Sequence, residues 1–353
     1  MPGVKTEPLD RVDQELLNLV QVDFPVVPRP FAFLGEQLDV PEDDVIARLD
    51  ALKGKKIIRQ ISAIFDTRAL GYKSSLIATR APVDKVDEVA AVISEHPGVS
   101  HNYRRDHEFN IWWTIAVPPT SSLEEHVDKV HNLAGAEQTR LMQTIRMFKI
   151  GVDLDMTGKR KMDAKTKLPA YKASAKAGEA LNPMEIRMLR ELQEDIALVP
   201  APFEGMAGRI GITEDEIIDA YRRFVDEGRC RRFAAVLHHR QAGFVANAMS
   251  VWKVPEDRID DVGMQMAGFA AVSHCYQRPT YPDWPYNLFG MLHGRTKDDC
   301  NEAADAISRE TGINEHAMLY STKEYKKVRV RYYTEDFFDW EREHLGLSHE
   351  GSN

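Results

Sequence analysis

Residues 99–105 read Val-Ser-His-Asn-Tyr-Arg-Arg, and residues 272–278 read Val-Ser-His-Cys-Tyr-Gln-Arg. The two histidines, His101 and His274, are offset by 173 positions. Upstream, Val-Pro-Arg-Pro-Phe at 27–31 returns as Val-Pro-Ala-Pro-Phe at 199–203, Arg68 as Arg240, and Gly71-Tyr72 as Gly243-Phe244, each at an offset of 172. Matched anchors at nearly constant spacing mark one architectural unit written twice. At 353 residues the chain also exceeds what a single hydrophobic core accommodates, so several compact domains are expected.

Each copy divides in two. In the first, Leu9, Val12, Leu16, Leu17 and Val20 recur at helical spacing, with Asp10 and Asp13 in the first turn, where the helix dipole favours acids. Short helices are expected at 30–38 and 41–53, then an extended wing at 55–65 after Gly54, which together form a helix-turn-helix domain. The second copy has helices at 183–195, 202–210 and 213–226, with Thr213 as N-cap and Glu216 three residues on, and its wing at 230–237. Beyond each wing the pattern alternates. Copy one gives strand 72–79, helix 83–96, strands 99–104 and 110–117, helix 122–134 and strand 143–152. Copy two gives 244–252, 256–268, 272–277, 287–293, 297–311 and 317–323, with an added edge strand at 328–333. The order β-α-β-β-α-β is the split βαβ, or ferredoxin-like, sandwich.

The expected fold class is therefore α+β, a tandem repeat of winged helix-turn-helix plus ferredoxin-like sandwich. The division runs 1–65 and 66–156 for the first helix-turn-helix and sandwich, and 181–240 and 241–335 for the second. Residues 157–180, rich in Lys, Ala and Gly, form a linker, and 336–353 a C-terminal tail. Because each sandwich exposes an apolar face that one layer of helices cannot cover, the two are expected to pair through their sheets within the chain.

Composition removes several function classes. Hydrophobic residues at 43% and charged residues at 29% describe an ordinary soluble globular protein. No apolar run approaches the ~20 residues of a membrane helix, and no basic start precedes an apolar stretch, so a cytoplasmic protein is expected. Cys230, Cys275 and Cys300 are too few and too widely spaced for a disulfide framework or a Cys-x-x-Cys metal site. The net charge of -9 gives no global attraction to phosphate. The helices placed to read a groove open with Glu42-Asp43-Asp44 and Glu214-Asp215-Glu216, so specific DNA binding is not expected.

A helix-turn-helix followed by a ferredoxin-like domain resembles the Lrp/AsnC family, whose effector domains pair sheet to sheet. Within that superfamily, longer strings resemble the siroheme decarboxylases. They are Asp66-Thr67-Arg68, Leu70-Gly71-Tyr72-Lys73-Ser74, His101-Asn102-Tyr103 and His107-Glu108-Phe109-Asn110-Ile111-Trp112 in copy one. In copy two they are Arg231-Arg232-Phe233, His239, Ala242-Gly243-Phe244, His274-Cys275-Tyr276, Arg278-Pro279 and Trp284-Pro285-Tyr286-Asn287-Leu288. The family pairs two related subunits, and the resemblance implies that this chain fuses both; a homodimer of the fused chain is left open. His238 departs from the pattern, since the second subunit type is expected to carry Arg there.

The resemblance implies conversion of two acetate side chains of siroheme to methyl groups in haem biosynthesis, giving didecarboxysiroheme and carbon dioxide. It implies no cofactor and no metal site of the protein's own, because the iron arrives with the substrate. Two other readings share the fold: an Lrp/AsnC-type transcription regulator and a noncatalytic tetrapyrrole-binding protein.

The implied chemistry needs a positioned acid, carboxylate anchors and a water-poor site. Histidine suits the acid role because its ordinary pKa lies near neutrality. His101 with Tyr103, and His274 with Tyr276, alternate onto one face of a strand and are the candidate catalytic groups. Arg105 and Arg278 occupy equivalent places and suit bidentate carboxylate binding. His107, Asn110, Trp112, Trp284 and Asn287 complete the candidate substrate contacts with His238, His239 and Arg240, of which His239 is the candidate contact to the substrate iron. The aromatic loop 279–286 reads either as a cover for a macrocycle face or as a proline-stiffened hairpin packed on its own sheet. His126 and His131, five apart on a helix, are expected at the surface.

Overall fold

The computed structural model describes residues 9–150, 164–165, 180–237 and 246–347. Copy one runs α1 (Arg11–Val22), α2 (Pro30–Leu38), α3 (Glu42–Gly54), β1 (Ile58–Phe65), β2 (Lys73–Arg80), α4 (Val86–Glu95), β3 (Val99–Arg105), β4 (Ile111–Val117), α5 (Leu123–Ala134), β5 (Gln138–Met142) and β6 (Arg146–Ile150). Copy two runs α6 (Pro183–Leu192), α7 (Pro202–Ile210), α8 (Glu214–Asp226), β7 (Cys230–Leu237), β8 (Ala246–Trp252), α9 (Ile259–Ala267), β9 (Val272–Gln277), β10 (Leu288–Gly294), α10 (Lys297–Thr311), β11 (His316–Lys327) and α11 (Glu335–Leu345).

Local sequence explains the helix starts. Asp10 accepts from the Asp13 amide at 2.7 Å, and Asn182 and Thr213 each form a reciprocal capping box with the Glu three residues on. Pro30 and Pro202 open α2 and α7, where a missing amide proton costs nothing. The wings β1 and β7 pair antiparallel about Ser62 opposite Ala234, so a pseudo-twofold axis passes between the copies. Around it the two helix-turn-helix domains share one core, in which Phe24 meets Phe233 at 5.5 Å.

The sandwiches join as expected, within one chain and through their strands. A nine-stranded sheet has the order β5-β2-β4-β3-β11-β8-β10-β9-β6. Its two outermost strands, β5 and β6, are consecutive in the chain, so the sheet folds over and its halves face one another. Helices cover the outer faces. Between the inner faces lies a separate core of Ala78, Phe109, Trp112 and Met142 against Met249, Val251, Trp284, Phe289 and Leu319.

Four expectations need correction. In place of the single strand expected at 143–152 there are two shorter ones: β5, which ends at Met142 before that range begins, pairs β2 in its own half, and β6 within the range crosses to β9 in the other. β11 makes the same exchange without a break, pairing β8 through 316–320 and β3 through 321–327. The run 328–333 is not an edge strand. It leaves the sheet so that Arg329 reaches Ser62 Oγ of β1 (3.0 Å) and Tyr332 and Tyr333 pack edge-on against Tyr72. The expected tail folds as α11, burying Phe337, Phe338, Trp340 and Glu341 against the first sandwich. There it covers His126, which is fully buried rather than at the surface.

Candidate active site

On β3, Asn102 is turned toward α4, donating to Ala90 O (2.9 Å) and Ser94 Oγ (3.0 Å). Strand alternation therefore turns His101, Tyr103 and Arg105 to the inner face, and Tyr103 pairs across to the core residue Trp112. β9 repeats the arrangement: Cys275 lies against α9, leaving His274, Tyr276 and Arg278 inside, with Tyr276 opposite Phe289. The imidazole and phenol rings stand 6.2 Å apart at 29° in the first row and 6.1 Å at 29° in the second. Arg105 lies 6.0 Å from the Tyr103 ring centre and Arg278 5.0 Å from that of Tyr276. Sequence duplication has become geometric duplication.

The environments differ. His101 Nδ1 lies 3.0 Å from Ser100 Oγ, which itself lies 2.8 Å from Thr114 Oγ1. Burial holds the His101 pKa below its ordinary value, and the positive charges of Lys327 and Arg59 add to this while Glu324 opposes it. His274 Nδ1 lies 2.8 Å from Ser273 Oγ, which in turn is 2.7 Å from His293 Nε2. Burial, then His293 and Lys149, bring His274 down to about 4. Burial followed by Glu324 pushes Tyr103 up to about 12, so its phenol stays protonated as a donor.

Arg105 and Arg278 are buried and cross between the halves: Arg105 Nη1 donates to Leu319 O (2.7 Å), and Arg278 Nη1 to Met142 O. These are the points where β11 and the β5–β6 segment change sheets. Burial lowers both guanidinium pKa values to about 10, so both remain charged at neutral pH. The Nε of each has no hydrogen-bond partner.

Other candidates serve the fold. Asn110 clamps Ala81, accepting from its amide (3.0 Å) and donating to its carbonyl (2.9 Å), and Asn287 clamps Val254 identically at 2.9 and 2.8 Å. Trp284 has no exposed surface, and its ring meets Trp112 at 5.1 Å and Phe109 at 5.6 Å. The aromatic loop thus inserts its tryptophan between the two sheets instead of packing only on its own. His107 is half-buried beside it, 5.3 Å from the Trp284 ring, and its Nδ1 accepts from the Phe109 amide at 3.1 Å. His238, His239 and Arg240 lie outside the described residues.

His293 was not legible from the repeat, because the position opposite it in the first half is Ala116 by strand register. A second unanticipated cluster is the buried series in which Glu341 Oε1 is 2.9 Å from His126 Nε2, and His126 Nδ1 is 2.9 Å from His96 Nε2. It fastens α11 to the first sandwich.

Comparison with known proteins agrees with the duplication. The profile of the AsnC-like ligand binding domain matches residues 69–149 and 241–326, and that of the siroheme decarboxylase NirDL-like HTH domain matches 13–59 and 185–231. The siroheme decarboxylase of Hydrogenobacter thermophilus is 40% identical over 333 residues, spanning 93% of this chain and 97% of that one. The chain belongs to the siroheme decarboxylase family. Within that family, the siroheme decarboxylase beta subunit of Methanosarcina barkeri is 46% identical over 147 residues, which are 97% of its length but 42% of this chain. One half here thus corresponds to an entire separate subunit there. The crystal structure of the siroheme decarboxylase NirDL matches with a TM-score of 0.75 at 36% identity, covering 95% of this chain and 99% of that one. A co-complex of siroheme decarboxylase NirDL with an iron-uroporphyrin III analogue matches with the same TM-score at 35% identity and the same coverage.

Proposed function

We propose that this chain decarboxylates siroheme in haem biosynthesis in the cytoplasm, turning two acetate side chains into methyl groups and releasing carbon dioxide, with His101 and His274 as the proton donors. The observation that carries the assignment of roles is the duplicated row of imidazole, phenol and guanidinium on the inner faces of the two sheets. A pyrrole ring protonated at carbon accepts the electron pair of the breaking bond between methylene and carboxyl carbon. The exocyclic methylene left behind takes a proton and becomes the methyl, while the ring carbon returns the one it received. Each acetate therefore consumes one proton net. No cofactor is required, and the iron belongs to the substrate.

Burial keeps both imidazoles neutral in the protein alone. A substrate carboxylate within ~4–6 Å reverses the balance, because an opposite charge favours the protonated ring. Binding the polyanionic macrocycle then loads the acid that the chemistry consumes. Arg105 and Arg278, each charged and with an unpaired Nε, supply the positive end of each row and anchor carboxylates. Incubation of the protein with siroheme without oxygen, followed by mass spectrometry, should show successive losses of two carboxyl groups. Recovery of unaltered siroheme, bound or free, would refute the assignment.

A further inference from the structure

Ser273 Oγ has three neighbours within hydrogen-bond distance: His274 Nδ1 at 2.8 Å, His293 Nε2 at 2.7 Å and Met291 O at 3.3 Å. A hydroxyl carries one proton and can donate to one of the three, so at least one imidazole must be the donor to it. The protonation of the two rings is thereby linked through a single oxygen. In the first half the corresponding serine, Ser100, meets His101 and the hydroxyl of Thr114, which does not titrate. Among the described residues a second ring behind the serine is found in one half only.

The other groups around His274 leave this link unopposed. Tyr276 follows it on β9, and Lys149 of β6 is buried with its Nζ donating to Phe269 O (2.9 Å), while β10 contributes His293. Among the described residues no carboxylate acts on His274, whereas Glu324 of β11 acts on His101 alongside Lys327 and Arg59.

We propose that His293 is a positioning residue for decarboxylation in the second half, fixing through Ser273 the ring orientation and proton location of His274. The two rows are then unequal, and the step served by His274 follows its own pH profile, separate from the step served by His101. This rests on the reading of His274 as a proton donor. Burial and His293 are the first two causes that depress His274, so removing the second ring raises the pKa of the first.

The test uses the full chain with siroheme under anoxic conditions, with mono- and didecarboxylated products resolved across pH. In His293→Ala, the His274-dependent step should shift its profile upward by ~0.5 pH unit or more, while the His101-dependent step keeps its profile. His293→Gln restores a donor to Ser273 without a titrating ring. It should keep turnover at neutral pH within ~3-fold and show the same shift, and it carries the test if the alanine variant does not fold. Unshifted profiles for both steps in a folded variant would overturn the inference while leaving the acid assignment intact. Wild-type rates for both steps in His274→Ala would overturn the acid assignment, and the inference with it.

Discussion

At the scale of single residues, duplication identified which positions matter but not why. Asn110 and Asn287 recur as faithfully as His101 and His274, yet both amides are consumed by backbone clamps on Ala81 and Val254. What separates the histidines is that each Nδ1 is held by the adjacent serine while the ring faces the space between the sheets. Sequence alternation revealed the face; it did not reveal the serine's partners, because Thr114 and His293 come from other strands. If the two histidines donate the protons, His101→Ala and His274→Ala should each slow one decarboxylation by about 100- to 10,000-fold. Tetrapyrrole binding, followed by the Soret band, should be nearly unchanged. Arg105→Ala and Arg278→Ala should instead weaken binding, and they also lose a hydrogen bond between the halves, so melting must be recorded beside affinity. Wild-type rates for both steps in both histidine variants would remove the acid assignment.

Among the elements, helix boundaries were the most legible: Pro30–Leu38, Pro202–Ile210 and Lys297–Thr311 lie where capping and periodicity put them. Strand partners were not, because alternation records which residues share a face and is silent about which strand lies alongside. Thus β6 was anticipated as part of one continuous strand, although it belongs to the other half's sheet. Phe148 of β6 seats directly on Gly263 of α9, where an added Cβ would lie 2.5 Å from the ring. Gly263→Ala should therefore cost about 1–3 kcal/mol through overpacking. A lowered denaturation midpoint would report it, and an unchanged midpoint would argue against the crossover of β6. The helix α11 escaped notice for another reason: beside its apolar Phe337, Phe338 and Trp340 it buries Glu341 on polar partners, and Glu341 reads in sequence as a surface acid. In Glu341→Ala, Ser121 and His126 lose a shared acceptor, at 2.5 and 2.9 Å respectively. The expected loss is about 1–3 kcal/mol, visible as a lower melting temperature. No change would mean that α11 does not depend on this contact.

For the whole molecule, the repeat foretold a pseudo-symmetric pair in one chain, and two strands tie the halves together, β6 by pairing β9 of the other half and β11 by pairing strands of both. The same symmetry presents two helix-turn-helix domains whose third helices begin with three acids each. Arg48, the first basic residue within α3, is held by Asp10, Asp13 and Asp44 and is not free to meet a phosphate. Sequence-selective, salt-sensitive retention on duplex DNA is therefore not expected, and a gel-shift series across salt concentrations checks it. A broader consequence follows from the histidines that folding buries. His96, His101, His107, His274 and His293 all have pKa values held below 6.5, with burial the largest cause in each, and His274 falls to about 4. In the unfolded chain these rings return toward 6.5, so between 6.5 and about 4 the unfolded state binds more protons than the folded one. Stability is then fully present above pH 6.5 and declines as pH falls through that window, before depressed carboxylates such as Asp66 begin to protonate. Melting temperature measured across this range should fall steadily toward the acid side. His274→Gln, which removes one of the five groups, should make the decline shallower, whereas a melting temperature constant from about pH 7 to about pH 5 would show that these rings do not change protonation on unfolding.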